Sequence, residues 1–152
     1  MNEKTNTLIL PASQVSLQEI EDVYIKSWNH MSIEILDIAK EKVKDPSEMK
    51  INPTFVAVVD NMAAGFCEIN FDWLDRLYVS PDFFGKNIGI KLLNCAVSNG
   101  ANKLWVDEGN SPARRFYEKH GWVYANFFTA GYYYPESDIL LYELQSCKKS
   151  DS

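Results

Sequence analysis

The stretch from Leu77 to Trp122 constrains this chain most. It opens on an apolar run, Leu77-Tyr78-Val79, stopped by Ser80-Pro81. A glycine-containing loop follows, Phe84-Gly85-Lys86-Asn87-Ile88-Gly89, and leads straight into a pattern with Ile88, Leu92, Leu93 and Ala96 on one helical face. Asn99-Gly100 ends that helix. A second apolar run, Leu104-Trp105-Val106, precedes a short helix with Asn110-Ser111-Pro112 at its start and Gly121 at its close. Strand, loop, helix, strand, helix is a way to hold a phosphate-bearing ligand. Backbone N–H groups at Gly85 to Gly89 and the positive end of a helix would meet the anion, and Lys86 adds a mobile charge. A tight strand-to-helix turn would leave the same trace, so the loop alone is a weak signal.

The remaining elements follow from periodicity. Leu8 to Leu10 predicts a short strand. Ser16 with Glu19 three residues on is a capping-box pattern, followed by Ile20, Val23, Tyr24 and Trp28 at helical spacing. Ser27 to Ser32 reads as a bend. A second helical pattern runs over Ile33, Ile35, Leu36, Ile38, Ala39 and Val43 until Pro46. Thr54 to Asp60 and Ala63 to Asn70 predict strands joined by a turn at Asn61-Met62, and Leu74 to Val79 a third. Trp122 to Thr129 and Ile139 to Gln145 complete the set. The fold class is mixed α/β: a mostly antiparallel sheet with about four helices and one parallel strand pair. That pair flanks the Ile88–Val97 helix, because a helical crossover joins parallel neighbours. The 152 residues suit one domain over 1–152, with polar tails at 1–7 and 146–152 expected to be disordered.

Composition narrows the function. A net charge of -6 argues against a nucleic-acid partner, which needs a basic face. No apolar run approaches the ~20 residues of a membrane span, and no signal-peptide layout is present, so a cytoplasmic location is expected. Cys67, Cys95 and Cys147 match no metal spacing, and no metal is expected. Cys67 and Cys95 lie in apolar runs, as reduced core thiols would.

Two segments resemble the GNAT superfamily of acyl-CoA N-acyltransferases. Val79-Ser80-Pro81-Asp82-Phe83-Phe84-Gly85-Lys86-Asn87-Ile88-Gly89 is similar to its acyl-CoA loop, Val-x-Pro followed by Gln/Arg-x-x-Gly-x-Gly/Ala, with Leu92 and Leu93 in place on the helix. Asn110 to Trp122 is similar to its second block, Asn-x-x-Ala-x-x-Phe-Tyr-x-x-x-Gly-Phe. The sequence departs from the pattern at Phe84, where Gln or Arg is usual, and at Asn87, where Gly is usual. Phe84 removes one polar contact to the pyrophosphate. Asn87 tolerates the left-handed backbone better than most residues.

The resemblance implies acetyl transfer from acetyl-CoA to a primary amine of a small molecule or peptide, by direct attack in a ternary complex. A non-catalytic acyl-CoA sensor is the alternative. The implied cofactor contacts are Leu77, Tyr78, Val79, Phe84, Gly85, Lys86, Asn87, Ile88, Gly89, Ile90, Asn110, Ala113 and Phe116. Tyr117 maps to the proton donor for the leaving thiolate. A phenol of pKa about 10 is neutral at pH 7 and can donate to a thiolate whose acid is near 8.5. Without the resemblance, Tyr117 would read as a packing aromatic. For the base that deprotonates the amine, Asp75 and Glu68 are candidates. Asp75 shares a strand face with Leu77 and Val79 by alternation. A structural ion pair is the plain alternative for each. The acceptor is expected near the 27–32 bend and the final hairpin, lined by Trp28, His30 and Tyr133. Core packing is the plain alternative for Trp28, and a surface histidine for His30. Tyr132-Tyr133-Tyr134 cannot all face inward on a strand, so one is open to the pocket or to a homodimer contact.

Overall fold

The computed structural model describes residues 6–34, 54–131 and 137–145; within the first helix, the side chains of Trp28, Asn29 and residues 31–34 lie outside that description. The chain divides into two units, residues 1–101 and 102–152.

The first unit contains β1 (Thr7–Pro11), α1 (Leu17–Glu34), β2 (Thr54–Val59), β3 (Met62–Asn70), β4 (Trp73–Val79) and α2 (Ile88–Ser98), with one-turn 3-10 helices at Ala12–Gln14 and Pro81–Phe83. Its strands run β1-β2-β3-β4, each antiparallel to the next. Alternation along β3 gives each helix its own sheet face. Phe66 and Tyr24 of α1 both pack against the Tyr78 ring. Gly65 and Cys67 point the other way: a Cβ on Gly65 would sit 3.0 Å from Leu92 of α2, and the Cys67 and Cys95 thiols are within hydrogen-bonding reach. Val56, Phe66, Leu92 and Leu93 are among the fully buried side chains that make this core.

The second unit contains β5 (Lys103–Asp107), α3 (Ser111–Lys119), β6 (Trp122–Ala130) and β7 (Asp138–Leu144), its strands in the antiparallel order β5-β7-β6. Leu104, Val106, Trp122, Leu140 and Tyr142 form its core. The β6–β7 register slips between Tyr124 and Phe128, where Asn126 takes a left-handed φ of 60°.

Several expectations are corrected. Ser27 to Ser32 is no bend: α1 continues through it to Glu34. The segment holds no glycine or proline, and its serines and asparagine disfavour a helix only by up to about 0.7 kcal/mol each. The β2–β3 turn is Asp60-Asn61, with φ of 50° and 69°, rather than Asn61-Met62. Two left-handed residues are what a two-residue hairpin turn demands. Thr7 belongs to β1, not to a frayed tail, because it pairs with Val59. Three α-helices lie among the described residues, and most of the segment expected to form a further one falls outside them. The helical pattern beyond residue 34, Tyr132 to Tyr134, Cys147 and both terminal tails except residues 6 and 7 fall outside the described residues.

Candidate active site

The end of β4 is fastened from both sides. The Ser80 N–H donates to the Ala64 carbonyl of β3 at 2.8 Å, and Ser27 Oγ of α1 donates to the Val79 carbonyl at 3.2 Å. Ser80 is buried and its Oγ caps the next turn by accepting from the Asp82 N–H at 3.3 Å. Lys26, one residue from Ser27, pairs with Asp82 at 2.9 Å. Asp82 holds the Lys26 ammonium above its ordinary pKa, by the hydrogen bond first and by charge second. His30, one turn further along α1, lies edge-on to Phe84 with ring centroids 5.3 Å apart.

The loop from Phe84 to Asn87 is exposed. Gly85 has φ +83°, and a Cβ there would meet nothing within 4 Å. Asn87 has φ 62° and ψ 24° at the start of α2, so it adopts the left-handed backbone that glycine usually fills. Its side chain makes no capping bond to α2. The first-turn amides of a helix have no intrahelical acceptor. Here they adjoin an open glycine and a flexible lysine, a donor set that fits a phosphate.

The half-buried Tyr78 packs its ring against Tyr24 and Phe66. Leu77 and Val79 are half-buried. The β3–β4 register slips at Glu68/Ile69: Glu68 faces Arg76 and Ile69 faces Leu74, which leaves Asp75 as the extra, exposed residue of a bulge. The simple alternation that put Asp75 on the Leu77 face is therefore interrupted. Glu68 is buried and accepts from Arg76 Nε at 3.1 Å. The Arg76 guanidinium also lies 5.6 Å from the centre of the Tyr24 ring, and its Nη1 finds no hydrogen-bond partner among the described residues. Neither Arg76 nor the bond from Ser27 was foreseen. A regular hairpin continuing from Asn70–Trp73 and Ile69–Leu74 would set Asp75 opposite Glu68, so only the bulge brings Arg76 there; Ser27 and Val79 share no local pattern.

In the second unit, Asn110 Oδ1 caps α3 by accepting from the Ala113 N–H at 3.2 Å. Ala113, Phe116 and Tyr117 are half-buried. The Tyr117 ring meets Phe116 at 5.2 Å and Trp122 at 6.0 Å, both edge-on. His120 Nδ1 lies 2.8 Å from the Phe116 carbonyl. Of the expected acceptor residues, only His30 has a described side chain, and it touches the loop through Phe84; Tyr133 lies outside the described residues. Among the described residues no group of side chains could hold a metal, and no helix is long and apolar enough to cross a membrane.

Comparison with known proteins agrees with this geometry. Residues 50–124 match the family model described as an acetyltransferase (GNAT) domain. An uncharacterized N-acetyltransferase of Archaeoglobus fulgidus is 27% identical over 127 residues, covering 70% of this chain and 86% of that protein. The solution structure of apo YjaB from Escherichia coli superposes with a TM-score of 0.73 at 21% identity, covering 91% of this chain and 97% of that one. The PaiA N-acetyltransferase of Thermoplasma acidophilum, solved with coenzyme A, gives 0.66 at 22% identity, over 91% and 99%. The chain belongs to the GNAT superfamily of acetyltransferases. Its fold is that of the superfamily, mixed α/β with mostly antiparallel strands.

Proposed function

We propose that this protein is an N-acetyltransferase that moves an acetyl group from acetyl-CoA to a primary amine of a small molecule or peptide. The observation that carries the reading is the open loop at the start of α2, with Gly85 and Asn87 both left-handed and the Asn87 side chain withdrawn from the helix cap. The PaiA protein, solved with coenzyme A, lends support by fold. Acetyl-CoA supplies an acetyl group activated as a thioester. The N–H groups of Gly85 to Ile90 and the Lys86 ammonium bind its phosphates. The backbone of Leu77 to Val79 polarises the acetyl carbonyl, and Tyr117 gives its hydroxyl proton to the departing thiolate. Asn110, whose Oδ1 is engaged in the cap, offers its Nδ2 as a donor, and Ala113 and Phe116 supply apolar contact.

For the base, exposure favours Asp75 over Glu68, because Glu68 is committed to Arg76. Asp75 takes the amine proton directly or through water. His30, with Trp28 and Tyr133, contributes to the acceptor side. Residues 1–152 act as one acyltransferase domain, in the cytoplasm, where thiols stay reduced. Calorimetry tests the loop. Acetyl-CoA should bind about 10-fold or more tightly than acetyl-pantetheine, which lacks the pyrophosphate. Equal affinities would overturn the assignment. A sensor would bind in the same way but would show no turnover before or after Tyr117→Phe.

A further inference from the structure

None of the nine residues of α3 is fully buried. Its apolar face, Ala113, Phe116 and Tyr117, is only half-buried, with the Tyr117 ring on the buried Trp122. A buried phenol holds the helix as well. Tyr142 of β7 is 0% exposed, and its hydroxyl accepts from Arg114 Nε at 3.1 Å while donating to Glu118 Oε2. Arg114 and Glu118 are four residues apart, neighbours on one helical stripe. One oxygen thus ties two successive turns. Burial, reinforced by the Glu118 bond, raises the pKa of Tyr142, which keeps the phenol protonated and the direction of donation fixed. Tyr117 lies between the two gripped residues in sequence, and its ring leans on Trp122.

We infer that Tyr142 is a positioning residue for acyl transfer: through Arg114 and Glu118 it sets the rotation of α3 and so the placement of the Tyr117 hydroxyl. The inference rests on the reading of Tyr117 as proton donor. A rotation of about 10° moves a side-chain tip about 6 Å from the helix axis by about 1 Å. Misplacement by that much can cost about 100-fold in rate.

Tyr142→Phe keeps the ring and removes the hydroxyl. Its kcat should fall about 10-fold, with KM for acetyl-CoA within about twofold. On a Tyr117→Phe background the same change should alter kcat by less than about twofold, because its effect passes through Tyr117. Glu118→Gln keeps an acceptor and should retain the parent kcat, whereas Glu118→Ala should behave like Tyr142→Phe. The Tyr117 ring-proton NMR shifts, set by the Trp122 ring current, give a readout independent of turnover. They should move in Tyr142→Phe and stay in Glu118→Gln. An equal loss of kcat on both backgrounds, or unmoved Tyr117 resonances in Tyr142→Phe, overturns the inference. If Tyr117→Phe turns over as fast as the parent, the donor reading falls, and the resonances alone decide whether Tyr142 places Tyr117. Should Tyr142→Phe fail to fold, Glu118→Ala carries the same test from an exposed position.

Discussion

Ser27 of α1 and Val79 at the end of β4, 52 residues apart in sequence, are joined by a hydrogen bond of 3.2 Å from the serine hydroxyl to the valine carbonyl. Val79 is the last residue of β4, ahead of the Pro81–Phe83 turn and the Phe84 to Asn87 loop, so α1 fastens the root of that segment. Ser27→Ala should cost about 1 kcal/mol of stability in urea unfolding. It should also weaken acetyl-CoA binding a few-fold by loosening the loop. Unchanged affinity would mean that Ser80 and Ala64 hold the loop without α1.

Asn87 occupies a left-handed position with its side chain off the helix. Asn87→Gly should preserve acetyl-CoA affinity. Asn87→Ala should lose about 1–2 kcal/mol of stability, the cost of forcing alanine into that conformation, and should bind acetyl-CoA more weakly. Urea unfolding and calorimetry on the two variants check this ordering. Alanine behaving as asparagine would contradict it.

At Gly65, β3 lies close against both β4 and α2. A Cβ would lie 2.7 Å from the Tyr78 carbonyl oxygen and 3.0 Å from Leu92. The backbone atom cannot yield as a side-chain tip can. Gly65→Ala should therefore destabilise the fold by about 1–3 kcal/mol. A thermal or urea unfolding curve superimposable on the parent's would refute this packing.

Burial pushes the Cys67 thiol from 9.0 up to about 12, with Cys95 adding to the shift. Between these values the folded chain keeps a proton that the unfolded chain has released. Stability should fall as pH rises above about 9, by about 1.4 kcal/mol per unit from this group. Cys67→Ala should remove that slope, read as the difference between two series of unfolding curves. Below pH 9 the two slopes should coincide, and thiol reagents should leave Cys67 unmodified in the folded chain.

Much of the arrangement was legible because it is local. Gly85, Asn87 and the Ile88–Leu92–Ala96 face declare a strand-to-helix turn by backbone chemistry and period, and Ser16 with Glu19 forms the cap its spacing predicts, Ser16 Oγ accepting from the Glu19 N–H at 3.2 Å. What escaped the sequence is held by distant partners. The polar run at Ser27 to Ser32 looked like a bend, yet Lys26, Ser27 and His30 find Asp82, Val79 and Phe84, contacts no local pattern encodes. Asp75 was placed by strict alternation, which the bulge opposite Glu68 and Ile69 interrupts. Tyr142 carries no local signal, because the partners of its hydroxyl, Arg114 and Glu118, lie 28 and 24 residues away in sequence.

The central claim is acetyl transfer to an amine with Tyr117 as proton donor. The most direct test is CoA release from acetyl-CoA across an amine panel near pH 8, with parent and Tyr117→Phe side by side and a protein-only thiol blank. The account predicts release with one amine class, a loss of about 100-fold or more in kcat for Tyr117→Phe, and retained acetyl-CoA binding. Tight acetyl-CoA binding with no release on any amine, or full activity in Tyr117→Phe, would contradict it.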